Sequence, residues 1–165
     1  METNYTRAEL FEHVATMNQL RNTVYHVIRL MQRTSRDMVV DRLRAMGRRI
    51  AETFVETWTP KPQEPARLLR VLYATALGSK RVKIDVGGPG GLVRVVDKKC
   101  AMCKYPVEDV DAAGCEITAG FVARVVQLMK ESGRLDWSLE VVGVDKSKTR
   151  GDQTCDHLYR IRGGD

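Results

Sequence analysis

Four cysteines are the residues of this chain whose type and spacing best suit chemistry: Cys100 and Cys103 as a Cys-x-x-Cys pair, then Cys115 and Cys155. A Cys-x-x-Cys turn offers two sulfurs to one ion, and two thiolates from elsewhere can complete a tetrahedral shell. The expected metal site is therefore Cys100, Cys103, Cys115 and Cys155 around one zinc. A closed four-thiolate shell leaves no position for water, so its role would be structural and not hydrolytic. Two other readings stay open at this level. The thiols could be reduced core residues, or Cys100 and Cys103 could form a redox disulfide.

No other constellation supports catalysis. The histidines are His13, His26 and His157. Strand alternation puts Cys155 and His157 on one face, which allows ligation by His157 or a thiol–imidazole pair. A partly exposed structural histidine at a strand start is the plainer reading. There is no Gly-x-Ser-x-Gly, no His-Glu-x-x-His, no dinucleotide fingerprint and no redox cofactor motif. The run Gly87-Gly88-Pro89-Gly90-Gly91 lacks a following Gly-Lys-Ser/Thr and precedes a strand, so it reads as a hairpin loop and not a phosphate cradle. No catalytic residue is assigned, and the chain is expected to be non-enzymatic.

These residues need a scaffold, and 165 residues suffice for one domain spanning 1–165. With 43% hydrophobic and 29% charged residues, the composition is that of a globular chain. The N-terminus is polar, and no apolar run approaches the ~20 residues of a membrane span. A cytoplasmic setting is expected, where thiols stay reduced. The net charge of +6 would tolerate nucleic acid, but Arg42, Arg44, Arg48 and Arg49 are interleaved with Asp41, Glu52 and Glu56. That pattern reads as a solvated helix face, and nucleic-acid binding is the third reading behind two others.

Periodicity supplies the elements. Thr6-x-x-Glu9 is a capping box opening a helix whose stripe is Leu10, Val14, Met17, Val24, Ile28 and Met31, interrupted by Arg21. Thr34 or Ser35 should cap a second helix, with stripe Val39, Leu43, Met46, Ile50, Phe54 and Trp58 and with Gly47 on the buried side. A third helix is expected from Pro65 to Leu77, stopped by Gly78. Strands follow at 82–86 and 92–96. A fourth helix is expected over 112–130, capped by Asp111 and ended by Gly133, with Ala113, Gly114 and Gly120 small enough for tight packing. Strands at 137–144 and 157–161 close the chain. The order ααα-ββ-α-ββ gives an α+β fold, helices on a twisted antiparallel sheet of about four strands.

Two passages resemble a known superfamily, that of the TRAPP vesicle-tethering subunits and the 4-vinyl-reductase-type (hydrocarbon-binding) domain. One is Arg42-Leu43-Arg44-Ala45-Met46-Gly47-Arg48-Arg49-Ile50, continuing to Phe54 and Trp58, which looks like the Met-Gly-x-x-Ile second-helix signature of the larger TRAPP subunits. The other is Cys115, Ala119-Gly120 and Gly151-Asp152-Gln153-Thr154-Cys155, which resembles the vinyl-reductase-type pattern. The resemblance implies a homodimer through the N-terminal helices, where Leu20, Val27 and Leu30 flank the core stripe. It also implies other protein subunits as partners, a place peripheral to a membrane, and a pocket for a hydrophobic small molecule or acyl chain. That pocket would be lined by Met46, Ile50, Phe54, Val71, Leu72, Phe121 and Val125, although the same residues could simply form the core.

Related sensor domains bind structural zinc through cysteines matching Cys115 and Cys155, together with a Glu and a further Cys. Here Val144 and Ser147 stand near those two positions, with Asp145 and Glu140 as imperfect substitutes, so Cys100 and Cys103 would have to supply the missing ligands. Unlike the acylated TRAPP subunits, this chain has no cysteine between its second and third helices, which excludes covalent acylation there. The functional expectation is a TRAPP-like interaction or scaffold module. The alternative is a 4-vinyl-reductase-type enzyme or enzyme accessory in tetrapyrrole metabolism.

Overall fold

The computed structural model describes residues 16–163 and residue 8. Helix α1 spans Thr16–Ser35, α2 Val39–Thr57 and α3 Pro65–Val71, followed by strands β1 (Val82–Gly88) and β2 (Leu92–Asp97). Helix α4 is Glu116–Glu131, and β3 (Ser138–Lys146) and β4 (Cys155–Arg162) complete the chain. The four strands form one antiparallel sheet in the order β1-β2-β4-β3, with helices packed on it. The fold is α+β with the element order the sequence implies. No described helix is long and apolar enough to cross a membrane. The Thr6–Glu9 capping box, with Leu10, Val14 and His13, lies outside the described residues.

Local chemistry explains most boundaries. Helix α3 starts at Pro65, where the Glu64 carboxylate accepts from the Ala66 and Arg67 amides, two donors a helix start leaves unpaired. It widens into a π turn over Leu72–Ala76 and is stopped by Gly78 at φ 67°. The β1–β2 hairpin turns through Gly90 and Gly91, both at positive φ. Thr34 and Ser35 do not cap α2. The Thr34 hydroxyl donates back to the Leu30 and Met31 carbonyls, α1 runs on to Ser35, and a 3-10 turn leads into Val39.

Helices α2 and α4 cross where both lack a side chain. A Cβ on Gly47 would sit 2.0 Å from the Ile117 carbonyl oxygen, and one on Gly120 would sit 2.3 Å from that of Arg44. This near-contact of backbones fixes the orientation of α2. Its buried residues are Val39, Leu43, Gly47 and Ala51, a row of fourth residues in which the two at the crossing are small. The expected stripe through Met46 and Ile50 is therefore rotated off the core: these side chains are 37% and 49% exposed.

Two apolar clusters result. The larger joins Leu68, Leu69, Leu72, Tyr73, Val93, Val95, Phe121, Val122, Val125 and Trp137 between α2, α3, α4 and the sheet. The smaller gathers Val24, Ile28, Met31, Val39 and Leu43 around the four cysteines.

Candidate metal centre

The thiols are supplied by three separate pieces of chain. Cys100 and Cys103 lie in the irregular segment after β2, Cys115 is the residue before α4, and Cys155 is the first residue of β4. All four are buried and unbridged, and their sulfurs lie within 4.8 Å of one another. With a Zn–S bond of about 2.3 Å, the edge of a regular sulfur tetrahedron is ~3.8 Å. The donor set and its spacing therefore fit one tetrahedral ion after only small adjustment.

Each arm is held from outside the cluster. The Asp97 carboxylate ends β2 by accepting from Ser79 Oγ (2.7 Å) and from the Lys99 amide (2.8 Å), which sets the direction of the chain into Cys100. Strand β4 enters at Cys155 after a 3-10 turn, Lys148–Arg150, tied by Ser147 N–H to Asp152 Oδ2 (2.8 Å) and Thr149 N–H to Ser147 Oγ (3.2 Å). That turn aims the Lys148 amide at Cys155 Sγ, 3.5 Å away, with the Ser147 hydroxyl at 4.0 Å. Backbone N–H groups aimed at sulfur stabilise a thiolate, as outer partners of metal ligands do.

The electrostatics favour deprotonation at one place. Hydrogen bonds from the Cys100, Cys115 and Cys155 thiols hold Cys103 well below the ordinary thiol range. The same sharing pushes Cys100 and Cys115 well above it, with burial adding to the shift. Four crowded, buried thiols cannot all ionise without a cation among them.

His157 takes no part in this cluster. It shares the buried face of β4 with Cys155, as alternation implies, but it is fully buried where partial exposure was expected. Its Nδ1 is 2.6 Å from the Tyr73 hydroxyl, which in turn meets the Tyr159 hydroxyl at 2.7 Å. Burial lowers the His157 pKa and so favours the neutral imidazole. His26 is exposed on α1.

Helix α4 begins four residues later than the expected Ala112. Asp111 is not its cap: the carboxylate accepts from Gln32 of α1 and pairs with Arg36 in the 3-10 turn that follows α1. Glu116, in the first turn of α4, is buried and accepts from Arg44 Nε at 2.7 Å. Sequence periodicity missed this pair because an arginine beside other arginines reads as surface.

The residues expected to line a hydrophobic pocket separate in the structure. Leu72, Phe121 and Val125 are buried in the larger cluster, and Phe54 packs edge-on against Phe121 with ring centroids 5.3 Å apart. Val71 is half-buried. Met46 and Ile50 point outward, away from the other five.

The fold matches the crystal structure of a trafficking protein particle complex subunit 3 from Naegleria fowleri, covalently bound to palmitic acid. The TM-score is 0.58 at 13% identity, covering 91% of this chain and 97% of that one. The chain has a TRAPP-subunit-like fold. No family profile and no curated protein matches the sequence. At this identity the match extends to the fold, and the residues argue the rest.

Proposed function

We propose that the protein is a non-enzymatic assembly module on a TRAPP-like scaffold, its C-terminal half pinned by a structural zinc on Cys100, Cys103, Cys115 and Cys155. The observation that carries this is the convergence of four buried sulfurs, from three segments of chain, within 4.8 Å. Zinc would join the segment after β2, the start of α4 and the start of β4, with its binding energy contributing directly to folding. Protein purified without chelator should carry about one zinc per chain, on four-ligand stoichiometry, with its thiols unreactive until denatured. Metal-free protein with four titratable thiols would reject the site.

The partner face belongs to α1. Leu20 and Leu30 are 45% and 62% exposed, and Val27 lies between them, seven residues from Leu20 and three from Leu30 along one side of the helix. A second copy of the chain is the proposed occupant, with further protein subunits beyond it, in the cytoplasm or at a membrane periphery. Sedimentation should show a dimer that Leu30→Lys dissociates without loss of helix content; a wild-type monomer would reject it.

A second reading, a hydrophobic ligand, is favoured by the acyl group named for the structural neighbour. Phe54, Val71, Leu72, Phe121 and Val125 would surround such a chain, held without a covalent bond because no cysteine lies between α2 and α3. Organic extracts of the purified protein should contain lipid; empty extracts, together with no fatty-acid probe binding, would remove this reading. No observation favours the tetrapyrrole-enzyme alternative.

A further inference from the structure

We infer that the thiolate centre is also the dock for α1, so that metal occupancy decides whether this helix stays seated on the domain. The inference rests on the zinc reading above and adds a consequence to it.

Helix α1 packs on the start of α2 through Val39 and Leu43, and among the described residues its side-chain hydrogen bonds to the rest of the chain all go to the segment after β2 or to Thr149. The two residues between Cys100 and Cys103 are Ala101 and Met102, and both turn their carbonyls to α1. Ala101 O accepts from Arg21 Nε at 2.5 Å, and Met102 O lies 3.0 Å from the Tyr25 hydroxyl. A carbonyl can only accept, so the Tyr25 hydroxyl donates there and receives from Thr149 Oγ1, 2.8 Å away in the turn before Cys155. A Cβ on Gly114, beside Cys115, would lie 3.4 Å from the same Tyr25 oxygen. One tyrosine of α1 thus bridges the Cys100–Cys103 turn and the 3-10 turn that leads to Cys155, and lies close beside Gly114.

The remaining ties follow the same route. Arg29 forms a bidentate pair with Asp109 in the irregular segment. Apolar residues on the inner side of α1 pack into the cysteine cluster, while the larger cluster contains no described residue of α1.

The dock itself has little internal support. Residues 98–115 contain no helix or strand. Irregular segments longer than about 12–15 residues are uncommon inside compact domains and need something to hold them. Zinc on Cys100, Cys103 and Cys115 would fix this segment at three points. Without it, the acceptors for Arg21 and Tyr25 ride on irregular chain whose other ties are Val107 N–H to the Thr149 carbonyl (2.9 Å), Lys148 Nζ to the Lys98 carbonyl (2.6 Å) and the packing of Met102 and Val110. The larger cluster, which contains none of the thiols, retains its own packing.

Hydrogen–deuterium exchange on the full chain tests this, comparing zinc-loaded protein of measured stoichiometry with protein stripped by chelator under reductant. Amides of α1 and of residues 98–115 should exchange at least about tenfold faster after stripping, with β2 and the C-terminal half of α4 nearly unchanged, as for a separate opening unit. Unchanged α1 in protein that has lost its zinc overturns the inference and leaves the metal site standing. Uniform loss of protection also overturns it, because α1 would then not be a separate unit. A chain that takes up no zinc overturns both. Tyr25→Phe is the second variant: zinc stays at about one per chain while α1 exchanges about tenfold faster, the effect of one lost buried hydrogen bond. Unaltered exchange in that variant contradicts the dock.

Discussion

The larger cluster and the cysteine cluster hold the same fold by different physics. The first is hydrocarbon between regular elements, in which Leu68, Leu69, Leu72, Val93 and Val95 are fully buried and each is carried by a helix, a helical turn or a strand. Its buried polar group Tyr73–His157–Tyr159 is closed on itself except for His157 Nε2, which has no protein partner among the described residues. The second combines apolar faces of α1 and α2 with sulfur and backbone polar groups, and draws as well on an irregular segment, a 3-10 turn and the starts of α4 and β4. Non-directional burial suffices where regular elements already satisfy the backbone. Where they do not, directional ties are needed: bonds to one ion, N–H to sulfur, and the Tyr25 hydroxyl. The two clusters share α2, whose first half enters one and second half the other, with the Gly47–Gly120 crossing between them.

Breaking the shared crossing should have the largest effect. Gly120→Ala drives a Cβ into the Arg44 backbone, which cannot move without shifting α2. A loss of about 3 kcal/mol, at the upper end for overpacking, is expected. For a domain of this size that lowers the melting temperature by ~6–12 °C. Both clusters should fail together in this variant, seen as one calorimetric transition in which tryptophan emission (Trp58 and Trp137, of the larger cluster) and zinc release coincide.

Removing one thiol should separate the clusters. Cys155→Ser is expected to bring zinc content below about a tenth of wild type, since a structural site needs its full ligand set. Far-ultraviolet circular dichroism should keep most of its signal, because the larger cluster holds none of the thiols. Tyr73→Phe addresses the other cluster. It strips His157 Nδ1 and the Tyr159 hydroxyl of their common partner, at a cost of about 1–3 kcal/mol. Zinc content should not change; a fall in zinc would show that the clusters are not separable. Smallest is Leu30→Lys on the outer side of α1, expected to move stability by no more than about 0.5 kcal/mol while abolishing self-association.

The two clusters were not equally legible in the sequence. The cysteine positions suggested a meeting point because a Cys-x-x-Cys turn offers two sulfurs that two distant thiolates can join on one ion, while core thiols and a Cys100–Cys103 disulfide fitted the same spacing. The element order was legible from changes of period, and Gly47 and Gly120 stood out as small residues inside apolar stripes. What escaped was long-range pairing by charged and polar groups. Asp111 has the features of a helix cap, yet Gln32 of α1 and Arg36 of the 3-10 turn after it capture it. Arg21 reads as an interruption of a stripe and instead donates to Ala101. Met46 and Ile50 were misplaced for the opposite reason. A hydropathy stripe favours the largest apolar residues, whereas a close helix crossing selects the smallest and turns its bulky neighbours outward.

X-ray absorption at the zinc edge, on protein purified without chelator, tests the coordination directly. The predicted spectrum is a single shell of four sulfurs at about 2.3 Å, with no nitrogen or oxygen neighbour. A mixed shell containing imidazole or water, or no zinc absorption at all, would contradict the assignment of Cys100, Cys103, Cys115 and Cys155 as the centre that holds the second cluster together.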